Sequence, residues 1–537
     1  MNLKKIFSNQ SQSITGAAIV LFLASVASRI IGIWRDRIFA STFGAGDTLD
    51  AYYSAFRVPD FIYNLVIVGA LSAGFIPVFL RLLNTNRKKA EQTANILFTI
   101  FGFSLAFIAT IFYIFAPQII PLIVPGFSLE KSSLTISLTR IMMLSPFFLG
   151  LSGIASGILQ AHKNFLIYSL TPIFYNLGII AGAIFLVPLL GPIGLSWGVV
   201  IGAALHFFLQ IPSLIALGFR YRPSFKFGLD SVREIFRMML PRTAALAISQ
   251  INTILTTSIA SLLAAGSIAI YNLASNLQYF PVGTIGVSFA IAAFPTLTEI
   301  AARHDKTSFS DHLTQTMRQI FFFIIPFTVI ILVFRAQIVR LLLGAGKFDW
   351  TDTITTMNTL AWFALSLFAQ CLIPLLTRAF FAWQNSRIPL LAGLYSAILN
   401  LALAYFLSPY FGVCALAIAF STSSIFQALF LYHKLHLFGI KTIETNLIVS
   451  ILKISAASII LGILAQFSKT VLGNFVNMDT ALGVLIQSAG AGTIGVGGFI
   501  AAAYLLRLSE MTNLVTAIRR RLFRSETPTD IDPMDEV

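Results

Sequence analysis

The stretch Ser28–Asp50, SRIIGIWRDRIFASTFGAGDTLD, gathers Arg29, Arg35, Asp36, Arg37, Asp47 and Asp50 around the end of the first apolar run. That run, from about Ile14 to Trp34, is roughly 20 residues long, enough to span a bilayer. Lys4 and Lys5 precede it as they would in a signal peptide, but its length and the lack of a small-residue cleavage site predict an uncleaved first helix. The rest of the 537-residue chain continues in the same vein, with 57% hydrophobic residues, only 11% charged residues and 50 phenylalanines. Its mean hydropathy of +0.85 is more apolar surface than a water-soluble fold of this size can hide. The fold class is therefore an all-α polytopic membrane protein. Cys371 and Cys414 both fall inside apolar segments, which argues against a disulfide framework or a paired-thiol metal site.

Apolar windows of about 20 residues lie near 14–34, 58–82, 92–115, 134–160, 166–188, 193–218, 236–263, 268–298, 317–343, 355–382, 388–408, 411–433, 447–467 and 481–506. They predict about 14 transmembrane helices. Internal Pro and Gly predict bends in the second, fourth and eighth. Alternate connections are basic: Lys4 and Lys5; Arg81, Arg87, Lys88 and Lys89; Lys163; Arg220, Arg222, Lys226, Arg233 and Arg237; Arg303, Lys306 and Arg318; Arg387; Lys434 and Lys441; Arg519, Arg520, Arg521 and Arg524. The loops between them, such as LLGPIG, LLAAGS and SPYFG, hold few cations. Cytoplasmic loops collect Lys and Arg, so both termini are expected in the cytoplasm. The formal net charge of +15 then reads as anchoring against anionic membrane lipid rather than nucleic-acid binding. The final SETPTDIDPMDEV is acidic and reads as a disordered tail.

The two halves resemble each other at an offset of about 220 residues, the internal repeat of many transporters. FAPQIIPLIVPGF (115–127) has a counterpart in FRAQIVRLLLGAGKF (334–348), and ILQAHKNFLIYSLTPIFYNLGII (158–180) in FAWQNSRIPLLAGLYSAILNLAL (381–403). FGAGDTLDAYY (43–53) is matched more weakly by LAAGSIAIYNL (263–273). The expected organisation is an N-lobe of helices 1–6 over 1–222, a C-lobe of helices 7–12 over 223–440, helices 13 and 14 over 441–507, and a basic then acidic tail over 508–537. Each half holds an even number of helices, so the repeat is parallel, with substrate expected between lobes that rock.

Arg29 lies about 22 Å along a helix that starts near Ile14, inside the hydrocarbon. A central arginine costs about 2.5–3.5 kcal/mol on insertion scales, so such groups face a cavity or a partner. Asp36, seven residues on, returns to nearly the same face, and Arg35 lies about 100° away. Arg35, Asp36 and Arg37 read either as a self-neutralised interfacial cluster whose arginines snorkel, or as part of a wet cavity in which Arg29 and Arg35 attract an anion and Asp36 and Asp50 hold the guanidiniums in place. Arginine suits phosphate because its planar fork makes paired hydrogen bonds and keeps its charge. Arg57 and Asp60 bracket Pro59 and read first as a local ion pair; Arg378, in CLIPLLTRAFFAWQN, fits snorkelling and cavity lining equally. Arg140, Arg242 and Lys453 read as structural. The run AGAGTIGVGGF (489–499) reads as close helix packing rather than a phosphate loop, since no strand precedes it.

SRIIGIWRDRIFASTFGAGDTLDAYYSAFRVPDFI (28–62) with GALSAGFIPVF (69–79) resembles the start of the MurJ/MviN lipid II flippases of the multidrug/oligosaccharidyl-lipid/polysaccharide exporter superfamily. GILQAHKNFLIYSLTPIFYNLGII and AFFAWQNSRIPL resemble that family's segments after helices 4 and 10. The resemblance implies a two-lobe fold that moves undecaprenyl-pyrophosphate-linked peptidoglycan precursor from inner to outer leaflet of the bacterial cytoplasmic membrane. It implies that Arg29 and Arg35 correspond to the family's helix-1 arginines, Asp36 to the acidic residue beside the second, and Asp50 to the aspartate of a DAFF-like motif. Helices 13 and 14 correspond to a groove for the polyprenyl tail. A family arginine in helix 2 falls here at Tyr63 or Asn64, a nearby glutamate at Val68, and a helix-8 arginine at Asn276. The implied cavity has two fewer cations, which Arg57 or Arg378 would offset.

No enzyme chemistry, metal site or bound cofactor is expected; a coupling cation or the membrane potential would reset the carrier. The expected partners are a lipid-linked anionic pyrophosphate substrate, membrane lipids and the cell-wall synthesis machinery, with no nucleic acid. Alternative readings are a flippase for another lipid-linked oligosaccharide of O-antigen or teichoic type, a cation-coupled drug exporter, which paired arginines disfavour, and a non-transporting cell-wall scaffold.

Overall fold

The computed structural model of the protein describes residues 14–68, 74–226, 228–440, 445–512 and 515–516. Among them there are helices and connecting turns and no strand, because backbone in hydrocarbon must satisfy its own hydrogen bonds and a helix does so within one segment. We number the helices α1 (Ile14–Phe43), α2 (Asp47–Ala55, Arg57–Ile62, Tyr63–Val68 and Ile76–Thr85), α3 (Arg87–Ile123) and α4 (Leu129–Met142 and Ser145–Ala161). Next come α5 (Phe165–Leu190), α6 (Ile193–Ala216), α7 (Asp230–Ser261), α8 (Ser267–Ala302) and α9 (Lys306–Leu342). The remainder are α10 (Trp350–Ala364 and Leu367–Ala382), α11 (Arg387–Phe411), α12 (Val413–Leu437), α13 (Thr445–Gly473) and α14 (Ala481–Leu505). Among the described residues, ten helices are long and apolar enough to cross a membrane, or eleven with α10 taken as one bent span. α1, α2 and α7 lie on the other predicted windows, so the expected count of 14 is compatible with the helices seen.

The bends fall where Pro and Gly predict them and in two further helices. α2 carries a π-helical turn at Tyr63–Val68, α4 breaks at Met143 and Leu144, and α8 has a π turn at Val282–Gly286. α5 also has a π turn, at Gly182–Leu186, and α10 bends by 45°. At the α10 bend Ser366 Oγ lies 2.9 Å from Ser421 Oγ of α12 and 3.1 Å from the Phe363 carbonyl, and the Ser421 hydroxyl donates to the Trp362 carbonyl at 2.8 Å.

Without a hydrophobic difference between lipid and protein, helices associate through small residues that let backbones approach. α5 and α6 meet along Gly178, Gly182, Gly198 and Gly202, where an added methyl would run into the facing backbone. α13 and α14 meet through Gly495 against Ala465 and Leu461, so the glycine-rich run does serve as a packing seam.

The repeat shows directly in how turns pack. Gly126, after α3, faces the Ser261 carbonyl at the end of α7, and its N–H donates to Ser261 Oγ at 3.2 Å. Gly346, after α9, faces the Ser41 carbonyl near the end of α1, and the next residue, Lys347, donates its N–H to that oxygen at 2.9 Å. Each member of one pair lies about 220 residues from its counterpart in the other, with roles exchanged between the halves, as two-fold related contacts require. Beside them, the turn at Gly266 (φ +86°) presses on the Ala45 carbonyl.

Two compact units form among the described residues. One is drawn from Met1–Phe280, Arg335–Ala369 and Asn385–Leu431, the other from Pro281–Phe334, Gln370–Gln384 and Tyr432–Val537. Within the first, α7 packs on α2, α3 and α11. In the second, Glu510, just beyond α14, accepts from Arg318 Nε and from Ser450 Oγ, both at 2.7 Å. Lys4, Lys5, Lys441 and most of the tail, including Arg519–Arg521 and SETPTDIDPMDEV, lie outside the described residues.

Candidate functional site

The charged turn of α1 is the centre of a side-chain network in the first unit. Arg35 is bound on three sides: Nε and Nη2 donate to Asp36 Oδ1 at 3.1 and 2.8 Å, and Nη1 donates to Asn176 Oδ1 of α5 at 3.1 Å. Adjacent helix residues point about 100° apart, yet the long arginine stem folds back so that the two charges meet. Asp36 is buried and spends its second oxygen on Asn276 of α8, whose Nδ2 donates at 2.9 Å. Asn176 is itself held by donating to the Pro172 carbonyl at 3.0 Å. The network thus ties α1 to α5 and α8, one partner from each half of the sequence. Arg29, two turns earlier, donates through Nη1 to the Phe280 carbonyl at 3.2 Å, again on α8.

A guanidinium has five N–H donors. Three on Arg35 are engaged, so one on Nη1 and one on Nη2 remain for an acceptor. The Arg35 side chain is 21% exposed and that of Asp36 6%, so the arginine keeps access from one side while its counter-charge is shielded. The arrangement holds a cation at a fixed angle inside a helix bundle, which suits recognition of an anion with several oxygens.

Arg57 departs from the expected ion pair with Asp60: its Nη2 donates to Asn272 of α8 at 2.9 Å, and Nε is buried with no hydrogen-bond partner. The long side chain reaches the facing helix in preference to the carboxylate three residues on. The Tyr53 hydroxyl, one turn earlier on α2, is likewise buried and unbonded. Asn64 donates to the Asp60 carbonyl at 2.9 Å and stays on its own helix. Arg378 lies in the second unit and turns back on α10, with Nη1 3.4 Å from the Pro374 carbonyl. Arg37 hydrogen-bonds the Leu341 carbonyl, and Arg140 donates to the Tyr113 carbonyl at 3.1 Å. The side chain of Arg242 lies outside the described residues.

Asp50 corrects the expectation that it steadies the arginines. Its carboxylate is buried and accepts from the Gly266 and Ala269 N–H groups at 2.7 and 2.8 Å, capping the start of α8, and from Lys131 Nζ at 2.7 Å. Lys131 also bonds Asp47 at 2.6 Å. The free N–H groups of a helix start attract a carboxylate, so Asp50 is drawn to α8, where its two oxygens fit adjacent donors. Sequence reading missed Asn176, Asn272 and Lys131. The signal in each case is a polar side chain in or beside an apolar segment, where a buried polar group needs a hydrogen-bond partner.

Long apolar helices with a paired guanidinium held among them define a polytopic helical membrane protein. The fold is shared with an inward-facing multidrug resistance MATE family transporter of the MOP superfamily, at a TM-score of 0.64 and 14% identity over 80% of this chain and all of that one. The sequence model described as Lipid II flippase MurJ matches residues 39–486. The chain belongs to the MurJ lipid II flippase family. It is 28% identical to the lipid II flippase MurJ of Burkholderia cenocepacia over 370 residues, 67% of this chain and 72% of that one. A solved structure described as lipid II flippase MurJ in an inward closed conformation matches at a TM-score of 0.75 and 27% identity, covering 94% of this chain and 100% of that one.

Proposed function

We propose that this protein moves lipid II, the undecaprenyl-pyrophosphate-linked peptidoglycan precursor, from the inner to the outer leaflet of the bacterial cytoplasmic membrane. Membership of the family carries the reading, and the clamp at Arg35 supports it at the level of chemistry. Arg35 offers its two remaining N–H donors to pyrophosphate oxygens, with Asp36, Asn176 and Asn276 holding its angle. Arg29 supplies the second cation, and Arg57, with Nε unbonded, offsets a family arginine replaced at Asn64 or Asn276. Arg378 is the alternative offset. The lobes 1–222 and 223–440 rock about a two-fold axis, a reading supported by the exchanged contacts of Gly126 and Gly346. α13 and α14 take the polyprenyl tail.

The alternation of basic loops supports both termini in the cytoplasm. Transport needs no covalent chemistry by the protein. Cation entry or the membrane potential resets the empty carrier, since one charge moved across 100 mV is worth about 2.3 kcal/mol. The cell-wall synthesis machinery is the partner that consumes the delivered precursor.

The test is leaflet accessibility of the precursor in bacteria depleted of their own flippase, read with an added enzyme that cleaves the exposed head group. This protein is expected to restore cleavage, and an equally expressed Arg35→Ala variant to lose it. Restoration by the variant would sink the phosphate-clamp role, and failure of the well-inserted wild type would sink the substrate assignment.

A further inference from the structure

The first unit carries a cavity of about 750 Å³ bounded by α3, α4, α6 and the stretch after α6. It lies within the roughly 300–1,000 Å³ range of small-molecule sites. Its wall is apolar, with Phe103, Phe147, Leu151, Phe207 and Ile215 among the lining side chains, and Arg220 stands in the same lining. Phe103 and Ile215 are 64% and 66% exposed, so the cavity opens on the face that meets hydrocarbon in a bilayer.

The polar rim is fixed rather than loose. After α6 the chain turns at Gly218 (φ +83°) and runs back along α3. Arg222 donates its N–H to Asn95 Oδ1 at 3.0 Å, Ser224 donates its N–H to Thr99 Oγ1 at 3.2 Å, and the Tyr221 hydroxyl lies 3.2 Å from the same Thr99 oxygen. Phe98 packs on Phe219, and Phe103 on Phe225, with ring centres 5.7 and 5.6 Å apart. These contacts set Arg220 at the rim with Arg222 and Lys226 close in sequence, all three exposed. Among the described residues, Arg220 and Arg222 have no carboxylate within ion-pair distance. Arg87, beside them through its bond to the Leu217 carbonyl, has its charge met by Glu91.

An apolar slot open to hydrocarbon, ending at uncompensated guanidinium groups held by a pinned strand of backbone, is complementary to one kind of molecule. We propose that this cavity binds an anionic glycerophospholipid, with an acyl chain between α3, α4 and α6 and the phosphate on Arg220. The site is separate from the Arg35 cluster and does not depend on which substrate the carrier moves.

The experiment titrates the purified full-length protein with phosphatidylglycerol and with phosphatidylcholine of the same acyl chains and counts bound lipids by native mass spectrometry. Wild type is expected to hold phosphatidylglycerol the more tightly. Arg220→Ala should weaken that lipid about fivefold, the equivalent of about 1 kcal/mol per basic group near a lipid surface, and leave phosphatidylcholine unchanged. Ala106→Trp, from an exposed position in the lining on α3, should fill the slot and weaken both. An unchanged lipid preference in Arg220→Ala, or unchanged retention in a monodisperse Ala106→Trp, overturns the proposal. So does displacement of phosphatidylglycerol by equimolar undecaprenyl phosphate, which would make the cavity a polyprenyl site.

Discussion

The exchanged glycine contacts make a quantitative claim about the end of the first unit where α1, α3, α7 and α9 terminate. A Cβ built on Gly126 would stand 2.6 Å from the Ser261 carbonyl carbon and 2.8 Å from Leu262 Cα; one on Gly346 would stand 2.9 and 3.1 Å from the Ser41 carbonyl carbon and Cα. The facing carbonyl oxygen would stand 2.2 Å away in both, and carbon atoms in good contact sit about 3.5–4.0 Å apart, so each alanine forces the neighbour to shift. Overpacking of this kind costs about 1–3 kcal/mol. Gly346 also has φ +58°, where a side chain adds about 1–2 kcal/mol, so Gly346→Ala should be the costlier of the two. A penalty of about 2 kcal/mol borne only by the arrangement that makes these contacts would shift its ratio to one that lacks them about 30-fold. The assay is a spin-label distance between Leu129→Cys and Leu262→Cys, both exposed, in a background lacking Cys371 and Cys414. Both alanine variants should move the distribution to longer distances, while Gly393→Ala, which meets nothing within 4 Å, should not. A Gly126→Ala distribution and melting temperature identical to wild type would refute the packing argument.

Three further outcomes follow from the same reasoning. With side chains 21% and 6% exposed, the Arg35–Asp36 pair lies between surface pairs of about 0–1 kcal/mol and buried ones whose breaking costs about 3–5 kcal/mol. A double-mutant cycle with Arg35→Leu and Asp36→Leu, read by thermal unfolding in detergent, should give a coupling of about 2 kcal/mol, and additive singles would contradict the pairing. Gln210 of α6 donates to Ser152 and to the His206 carbonyl and accepts from Ser156; Gln210→Leu should cost about 1–3 kcal/mol by stranding buried polar groups, with a melting temperature within a degree of wild type as the contrary result. Burial pushes the Glu510 carboxyl up, but hydrogen bonds from Ser450, its own backbone and Arg318, with the Arg318 charge, outweigh it and hold the group below the usual glutamate range. A depressed carboxylate contributes stability above its unfolded value, near pH 4.3, that is lost as pH falls through the folded one. Melting of wild type should therefore drop faster than that of Glu510→Gln below about pH 4, and parallel curves would remove the linkage.

Much of the fold can be read from the chain. Apolar length identifies the spans, since hydrocarbon thickness dictates helix length, and the glycine run of α14 announces a seam because only small residues let two backbones approach. The bends of α2, α4 and α8 fall where local Pro and Gly predict them, whereas the α10 bend at Ser366 has no such local signal and its hydroxyl meets Ser421, about fifty residues further on. In the site, the pairing of Arg35 with Asp36 is local and legible. The destinations of Arg57 and Asp50 are not, because Asn272 and the start of α8 are distant in sequence and near only after packing.

By itself, the sequence determines that this is an all-helical membrane chain with a doubled plan and basic groups within its first helix, because span length, repeat offset and charge position are properties of the chain in order. Tertiary structure alone decides which guanidinium is clamped, which carboxylate caps a helix instead, and where a lipid-sized cavity opens. Those outcomes turn on groups hundreds of residues apart competing for the same hydrogen bonds, and only packing settles which of them arrives within 3 Å.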